Sequence, residues 1–229
     1  VVGYDPSPDV KKILDTKKLT YKEAGAQKYL DNSNIEIKSV KEVVEHSDII
    51  FVPIQTPHGA KFEGSTRIPD EREDFDYTFL KKGIKDLSDE IEKQGEDKIV
   101  IVISTVLPGT ITKLCYNPFF IAMGTTMRDF LKPEIVLFGV DDEKAAQTAQ
   151  KFYRTLHHQP FYETTIENAE LIKVCYNTFI SSKISIVNTI MEMCHKLPNT
   201  NVDDVTNALK MCDERIISDK YLSGGMGDG

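Results

Sequence analysis

The feature that most constrains this chain is an alternation. Short β-branched, apolar runs at residues 1–5, 35–38, 48–54, 98–104 and 134–139 are separated by polar stretches, and residues 40–47, 77–94 and 143–156 carry apolar positions near helical spacing. Runs of the first kind read as strands and stretches of the second as amphipathic helices. Strands joined through helices pair in parallel, so the pattern predicts an α/β fold with a doubly wound, mostly parallel sheet.

Beyond residue 166 the pattern changes. Residues 167–196 contain neither Pro nor Gly and stop before Pro198 and Asn199. At 1.5 Å per residue such a helix spans roughly 45 Å. Helices of that length link domains or dimerise them. A further helix is expected over 201–211, ahead of the glycine-rich stretch from Gly224 to Gly229. The predicted organisation is a Rossmann-type domain over 1–164, then a long helix and a small all-α dimerisation unit over 165–229. The charged connection 59–76, with Gly64 and Pro69 and no period of either kind, reads either as a mobile surface loop or as a binding loop.

Composition narrows the partners. With 36 acidic against 28 basic residues and a net charge of −8, the surface does not suit a nucleic-acid backbone or an anionic lipid. No apolar run approaches the ~20 residues of a spanning helix, and the first residues lack the basic-then-apolar pattern of a signal peptide. Cys115, Cys175, Cys194 and Cys212 are widely spaced, with no CxxC pair and no His at metal-ligand spacing. They read as reduced thiols of a cytoplasmic protein with no metal site.

Several residues are placed to carry chemistry. Asp5 ends the first strand, where a carboxylate accepts hydrogen bonds from an adenosine ribose and favours NAD. The glycine fingerprint that accompanies such an acid lies about twenty residues earlier, before Val1. Taken alone, Asp5 ahead of Pro6-Ser7-Pro8 reads first as part of an ordinary helix cap. Two other predicted strands end in polar turns, Gln55-Thr56-Pro57 and Ser104-Thr105 through Pro108-Gly109-Thr110. Ligands of parallel sheets bind at such ends, although the same residues make ordinary turns. On the long helix Lys173 and Asn177 are four residues apart and share a face among apolar neighbours. Together they suit a developing alkoxide or a held water; the alternative is a solvated lysine and a tolerated asparagine.

These segments, with Tyr116-Asn117-Pro118, Val136-Leu137-Phe138-Gly139, Ala169-Glu170-Leu171-Ile172-Lys173 and Asp213-Glu214-Arg215-Ile216, resemble in order and spacing the UDP-glucose and GDP-mannose dehydrogenases. The resemblance covers the chain almost end to end. It implies an NAD-dependent enzyme that oxidises C6 of a nucleotide-linked hexose to a carboxylate in two steps through a cysteine thioester. Asp5 would then hold the adenosine ribose, while Thr56, Ser104 and Thr105 line the cofactor. Lys173 and Asn177 would sit at the reacting carbon, with Thr105 positioning water. Phe120 and Ile121 would bind the nucleotide sugar through their backbone, Tyr221 would pack on the base region, and Gly229 would begin the approach to the nucleophile loop. Arg215 would reach the substrate of a partner subunit, which implies a homodimer through the long helix.

The chain departs from the family where two glutamates are usual, carrying Phe119 and Met123 instead. Phe119 cannot move a proton. Ser223 replaces a lysine that contacts the sugar diphosphate, and none of the four cysteines stands at the nucleophile position, expected after Gly229. The chain therefore reads as a fragment without turnover by itself, lacking the first strand, the glycine loop and the nucleophile. Two other readings remain open on the sequence. One is a β-hydroxyacid dehydrogenase, a class that also places Lys and Asn four apart on an interdomain helix. The other is a non-catalytic nucleotide-sugar-binding or assembly protein.

Overall fold

A computed structural model describes residues 1–64, 66–111 and 114–222. The chain divides into two compact units, Val1–Val174 and a second that starts at Cys175.

The first unit is built on parallel strands. β1 (Val2–Gly3) pairs in parallel with β2 (Glu36–Ile37) as a two-stranded sheet. A five-stranded sheet runs in the order β3 (Ile49–Val52), β4 (Ile99–Val102), β5 (Cys115–Tyr116), β6 (Val136–Gly139), β7 (Phe161–Thr164). Pairings β3–β4, β4–β5 and β6–β7 are parallel. The mostly parallel sheet expected from the alternation is present, with one reversal, the antiparallel contact of Tyr116 with Gly139.

The helices of this unit are α1 (Pro8–Thr16), α2 (Ala26–Asp31), α3 (Val40–His46), α4 (Thr78–Gln94), α5 (Thr126–Leu131) and α6 (Glu143–Arg154). β4 reads Ile-Val-Ile-Val because helices cover both of its faces. Val100 and Val102 point into a core with Ile50, Val52, Val43 and Val44 of α3, and Leu80 and Leu87 of α4. Ile101 points the other way, into a core with Phe138 and with Ala149 and Tyr153 of α6. Local signals fix the helix ends: Ser39 and Glu42 close a capping box at α3, and Gly95, at φ 68°, ends α4.

Some elements escape the periodicity. β5 has two residues, too few to show an alternation, and β7 is an edge strand with Tyr162 and Glu163 exposed. The strands of 1–5 and 48–54 shrink to Val2–Gly3 and Ile49–Val52, because their last residues leave the ladder to form the turns that carry the polar groups. The connection 59–76 contains only a short 3₁₀ turn, Ala60–Phe62, among its described residues.

α7 (Ile166–Lys196) follows β7 and is 31 residues long. Its buried residues, Ile166, Ala169, Glu170 and Lys173, all lie in its first two turns and form one stripe. Gly139 permits this approach: a Cβ there would lie 2.7 Å from the Ala169 Cβ and 2.8 Å from the Ile166 Cα.

In the second unit α7 continues and is followed by α8 (Val202–Leu209), capped by the Asn201 side chain on the backbone N–H groups of Asp203 and Asp204. None of its described residues is buried. No helix among the described residues is long and apolar enough to cross a membrane.

Candidate active site

The carboxyl ends of β1, β3 and β4 each pass into a turn bearing polar side chains. After β1, Asp5 is half-buried and its Oδ1 accepts from the Ser7 N–H at 2.8 Å, while the Ser7 hydroxyl accepts from the Asp9 N–H at the start of α1. The carboxylate thus orders the turn into α1, as a helix-cap residue does, and only one of its oxygens is used in that bond. A ribose diol requires an acceptor of this kind.

The turns after β3 and β4 are bonded to one another. The Thr56 hydroxyl donates to the Thr105 carbonyl at 2.7 Å, and the buried Ser104 hydroxyl donates to the Ile54 carbonyl. Both hydroxyl protons are therefore committed to backbone oxygens. What Thr56 and Ser104 offer a ligand is lone pairs, which suit an amide or ribose donor and not a phosphate oxygen.

The next stretch of the β4 connection is held from two sides. The Leu107 N–H donates to the Tyr77 hydroxyl at 3.0 Å. The Gly109 and Ile111 N–H groups donate to the two carboxylate oxygens of Glu170 at 2.6 and 2.7 Å. Glu170 is fully buried.

Beyond β5, Asn117 is buried and bonded on three sides: its N–H to the Val102 carbonyl at 2.8 Å, its Nδ2 to the Leu137 carbonyl at 2.8 Å, and its Oδ1 to the Tyr153 hydroxyl. Burial raises the Tyr153 pKa, so its hydroxyl stays a neutral donor. This network fixes the segment that follows, where the Lys173 ammonium donates to the Phe119 carbonyl at 2.8 Å and stands 4.9 Å from the centre of the Phe120 ring. Lys173 is only 6% exposed, and desolvation lowers its pKa. The Phe119 ring turns into the core, 5.3 Å from that of Phe130.

The structure therefore gathers Thr56, Ser104 and Thr105 into one bonded pair of turns, and Lys173, Phe119 and Phe120 into one contact. Ile121 lies next in chain and is exposed. In the second unit Asn177, Arg215 and Tyr221 are exposed, and Tyr221 has a left-handed backbone at φ 66°. Gly229, like Ser223, lies outside the described residues. Cys115 is buried and its thiol is pushed up to about 12, which makes it inert. Among the described residues no group of three or more His, Cys, Asp or Glu is arranged to hold a metal.

Glu170 and Glu23 carry no role in the sequence analysis. Glu23 accepts from the Gly124 and Thr126 N–H groups at 2.8 and 2.7 Å and so ties the α1–α2 connection to the turn before α5. Only a tertiary contact across about a hundred residues reveals it. Glu170 had a legible signal, since Ile166, Ala169, Glu170 and Lys173 fall at i, i+3, i+4 and i+7, the stripe a helix buries. A carboxylate in that stripe requires a partner.

An open, mostly parallel sheet, helix-covered on both faces and with polar turns at its strand ends, defines an α/β protein of the nucleotide-binding class. Residues 1–157 match the NAD binding domain of the UDP-glucose/GDP-mannose dehydrogenase family and residues 167–229 match its central domain. The chain belongs to that family. It is 29% identical to the putative UDP-glucose 6-dehydrogenase YtcA of Bacillus subtilis, over 100% of this chain and 55% of that protein. It is 26% identical to the UDP-glucose 6-dehydrogenase of Rickettsia conorii, over 81% of this chain and 42% of that protein. The fold is that of the GDP-mannose dehydrogenase of Pseudomonas aeruginosa, with a TM-score of 0.87 at 22% identity, covering 98% of this chain and 54% of that one. The chain spans about a quarter to about half the length of the curated relatives it matches.

Proposed function

We propose that this chain forms the cofactor-binding and central parts of an enzyme that oxidises the C6 primary alcohol of a nucleotide-linked, UDP-glucose-like hexose to a uronate in two NAD-dependent steps. The observation that carries this reading furthest is a desolvated ammonium, Lys173, fastened to the backbone beyond β5 of an NAD-binding-type sheet.

The residues fit the cofactor. Asp5 accepts from the adenosine ribose, and Thr56 and Ser104 accept from cofactor N–H or O–H groups, since their own protons are used within the protein. NAD, when bound, supplies the hydride acceptor. Lys173 donates to the oxyanion that develops at C6, an effect strengthened by the exclusion of water around a buried ammonium. Thr105 lines the cofactor and holds the water that attacks in the second step. Because the Phe119 ring is packed against Phe130, proton movement at that position falls to the water on Thr105. The backbone of Phe120 and Ile121 binds the sugar nucleotide. Asn177, Arg215, Tyr221 and Gly229 of the central domain are assigned to the substrate on the family resemblance.

We further propose a homodimer. On α7 within the second unit Phe179, Ile184, Ile186 and Met193 are each more than half exposed. Apolar surface of that extent along one helix supports burial against a second copy.

The test is to express the complete reading frame and follow NADH absorbance with UDP-glucose, UDP-N-acetyl sugars and GDP-mannose. About two NADH per sugar are expected, since an alcohol gives up two hydrides in becoming a carboxylate. Binding of a sugar nucleotide with no NADH from any of them would instead favour the non-catalytic reading, which Phe119 and Met123 support.

A further inference from the structure

α7 contributes two ionisable groups to the first unit, three residues apart, and each fastens a different loop. Glu170 holds the connection that follows β4 through the Gly109 and Ile111 N–H groups, at 2.6 and 2.7 Å. Lys173 holds the segment that follows β5 through the Phe119 carbonyl, at 2.8 Å. The first loop carries Thr105 and the second carries Phe120.

A buried carboxylate is an expensive way to fill a helix stripe. It suits this position because it offers acceptors only, and the loop presents two donors. An apolar residue would leave the buried Ile111 N–H without a partner and would free the Gly109 N–H, which lies at the exposed turn of the loop. Other fastenings of this loop come from elsewhere, among them Thr56 on the Thr105 carbonyl, the Ser104 hydroxyl on the Ile54 carbonyl, and Tyr77 on the Leu107 N–H. Glu170 instead ties the loop to the helix that carries Lys173, and a helix is stiff over a single turn.

We propose that Glu170 is a positioning residue: by clamping the Gly109 and Ile111 amides it sets the separation of Thr105 from Lys173, and hence the geometry of the reacting centre. The catalytic consequence rests on the proposed dehydrogenase reading; the clamp on the loop does not.

The experiment uses the full-length protein with Glu170→Gln and Glu170→Asp. Glutamine keeps the size but offers one acceptor oxygen, and its amide N–H₂ faces the second backbone donor. Aspartate keeps the charge but is a methylene short of reaching both amides, and it guards against a Glu170→Gln protein that fails to fold. Two readouts are taken. Amide hydrogen exchange in residues 104–111 is expected to rise about 10- to 100-fold in Glu170→Gln, from the loss of a charge-assisted bond, and less in Glu170→Asp, with exchange in β6 and β7 unchanged. The turnover number is expected to fall about 10- to 100-fold with little change in KM for the sugar nucleotide. With substrate deuterated at C6, the primary isotope effect on NADH formation should grow, because misalignment slows the chemical step. A residue that merely kept the protein folded would lower the active fraction without changing that isotope effect.

Unchanged exchange in 104–111 overturns the inference, whatever the activity. Raised exchange with unaltered turnover and isotope effect also overturns it, leaving Glu170 as a structural fastening. If the unmodified full-length protein forms no NADH with any sugar nucleotide, the proposed function fails separately. The inference is then decided by loop exchange and NAD⁺ affinity by calorimetry: raised exchange with several-fold weaker binding supports it, and no change in either overturns it.

Discussion

The two units bury their apolar residues very differently. In the first, helices on both faces of the sheet enclose two cores, and Ile101, Val102, Leu137, Phe138 and Tyr116 are completely buried. In the second, no described residue is buried, although its sequence is just as apolar: Ile184 and Ile186 are 58% and 60% exposed. One helix passes through both units, so the difference is not one of local structure. A parallel sheet supplies two faces on which helices can close, whereas the second unit, among its described residues, is made of helices alone and none of their side chains is enclosed.

This contrast can be broken by substitution. Leu137→Ala, in the centre of the first unit, should cost about 2–5 kcal/mol of stability, as a buried Leu truncation does; chemical denaturation of wild type and variant measures it. Gly139→Ala should cost about 1–3 kcal/mol, since the added Cβ meets Ala169 and the Ile166 backbone, which cannot shift without displacing α7. A loss much smaller than that would mean the start of α7 is not held against β6.

Lys173 sharpens the comparison through pH. Desolvation lowers its pKa, so the native state binds that proton less tightly than the unfolded chain does. The penalty is complete below the lowered value and is relieved as pH rises from there to the ordinary lysine range. The stability of Lys173→Met relative to wild type should therefore be highest at neutral pH and decline as pH rises through that window. A flat difference would place the ammonium in water.

For the second unit the expectation is reversed. In a monomer, Ile184→Ala should change stability by no more than about 0.5 kcal/mol, as surface substitutions do. In the proposed homodimer, Ile184→Glu should shift the species seen by sedimentation from dimer toward monomer and make the melting temperature fall on dilution. An unchanged sedimentation profile would remove α7 as the contact between subunits. The smallest effect concerns thiols. At pH 8 an alkylating reagent should modify exposed Cys212 in the native protein and leave Cys115 untouched until unfolding, because burial pushes that thiol up to about 12. Mass spectrometry of the labelled peptides decides it.

Much of the fold was legible in the residues because it follows local rules. β-branched runs marked β3, β4 and β6, helical spacing marked α3, α4 and α6, and the absence of Pro and Gly marked α7 to within one residue of its observed start. The sequence also singled out the polar turns at Thr56 and Ser104-Thr105, and Lys173, since polar groups at strand ends and in an apolar stripe are visible without coordinates. β5, with two residues, and α2 and α5, with six each, lie in no marked apolar run and carry too few positions to show a period, and were not legible.

Pairing was decided only in three dimensions. The sequence determined which residues have polar groups to offer. It did not determine that the Thr56 and Ser104 protons are used up on backbone carbonyls, that the Phe119 ring turns toward Phe130 while its carbonyl meets Lys173, or that Glu170 closes on two amides about sixty positions earlier. The physical reason is that secondary structure follows from the preferences of neighbouring residues. The partner of a buried donor or acceptor is chosen instead by the need to satisfy every such group once the chain has brought distant segments together.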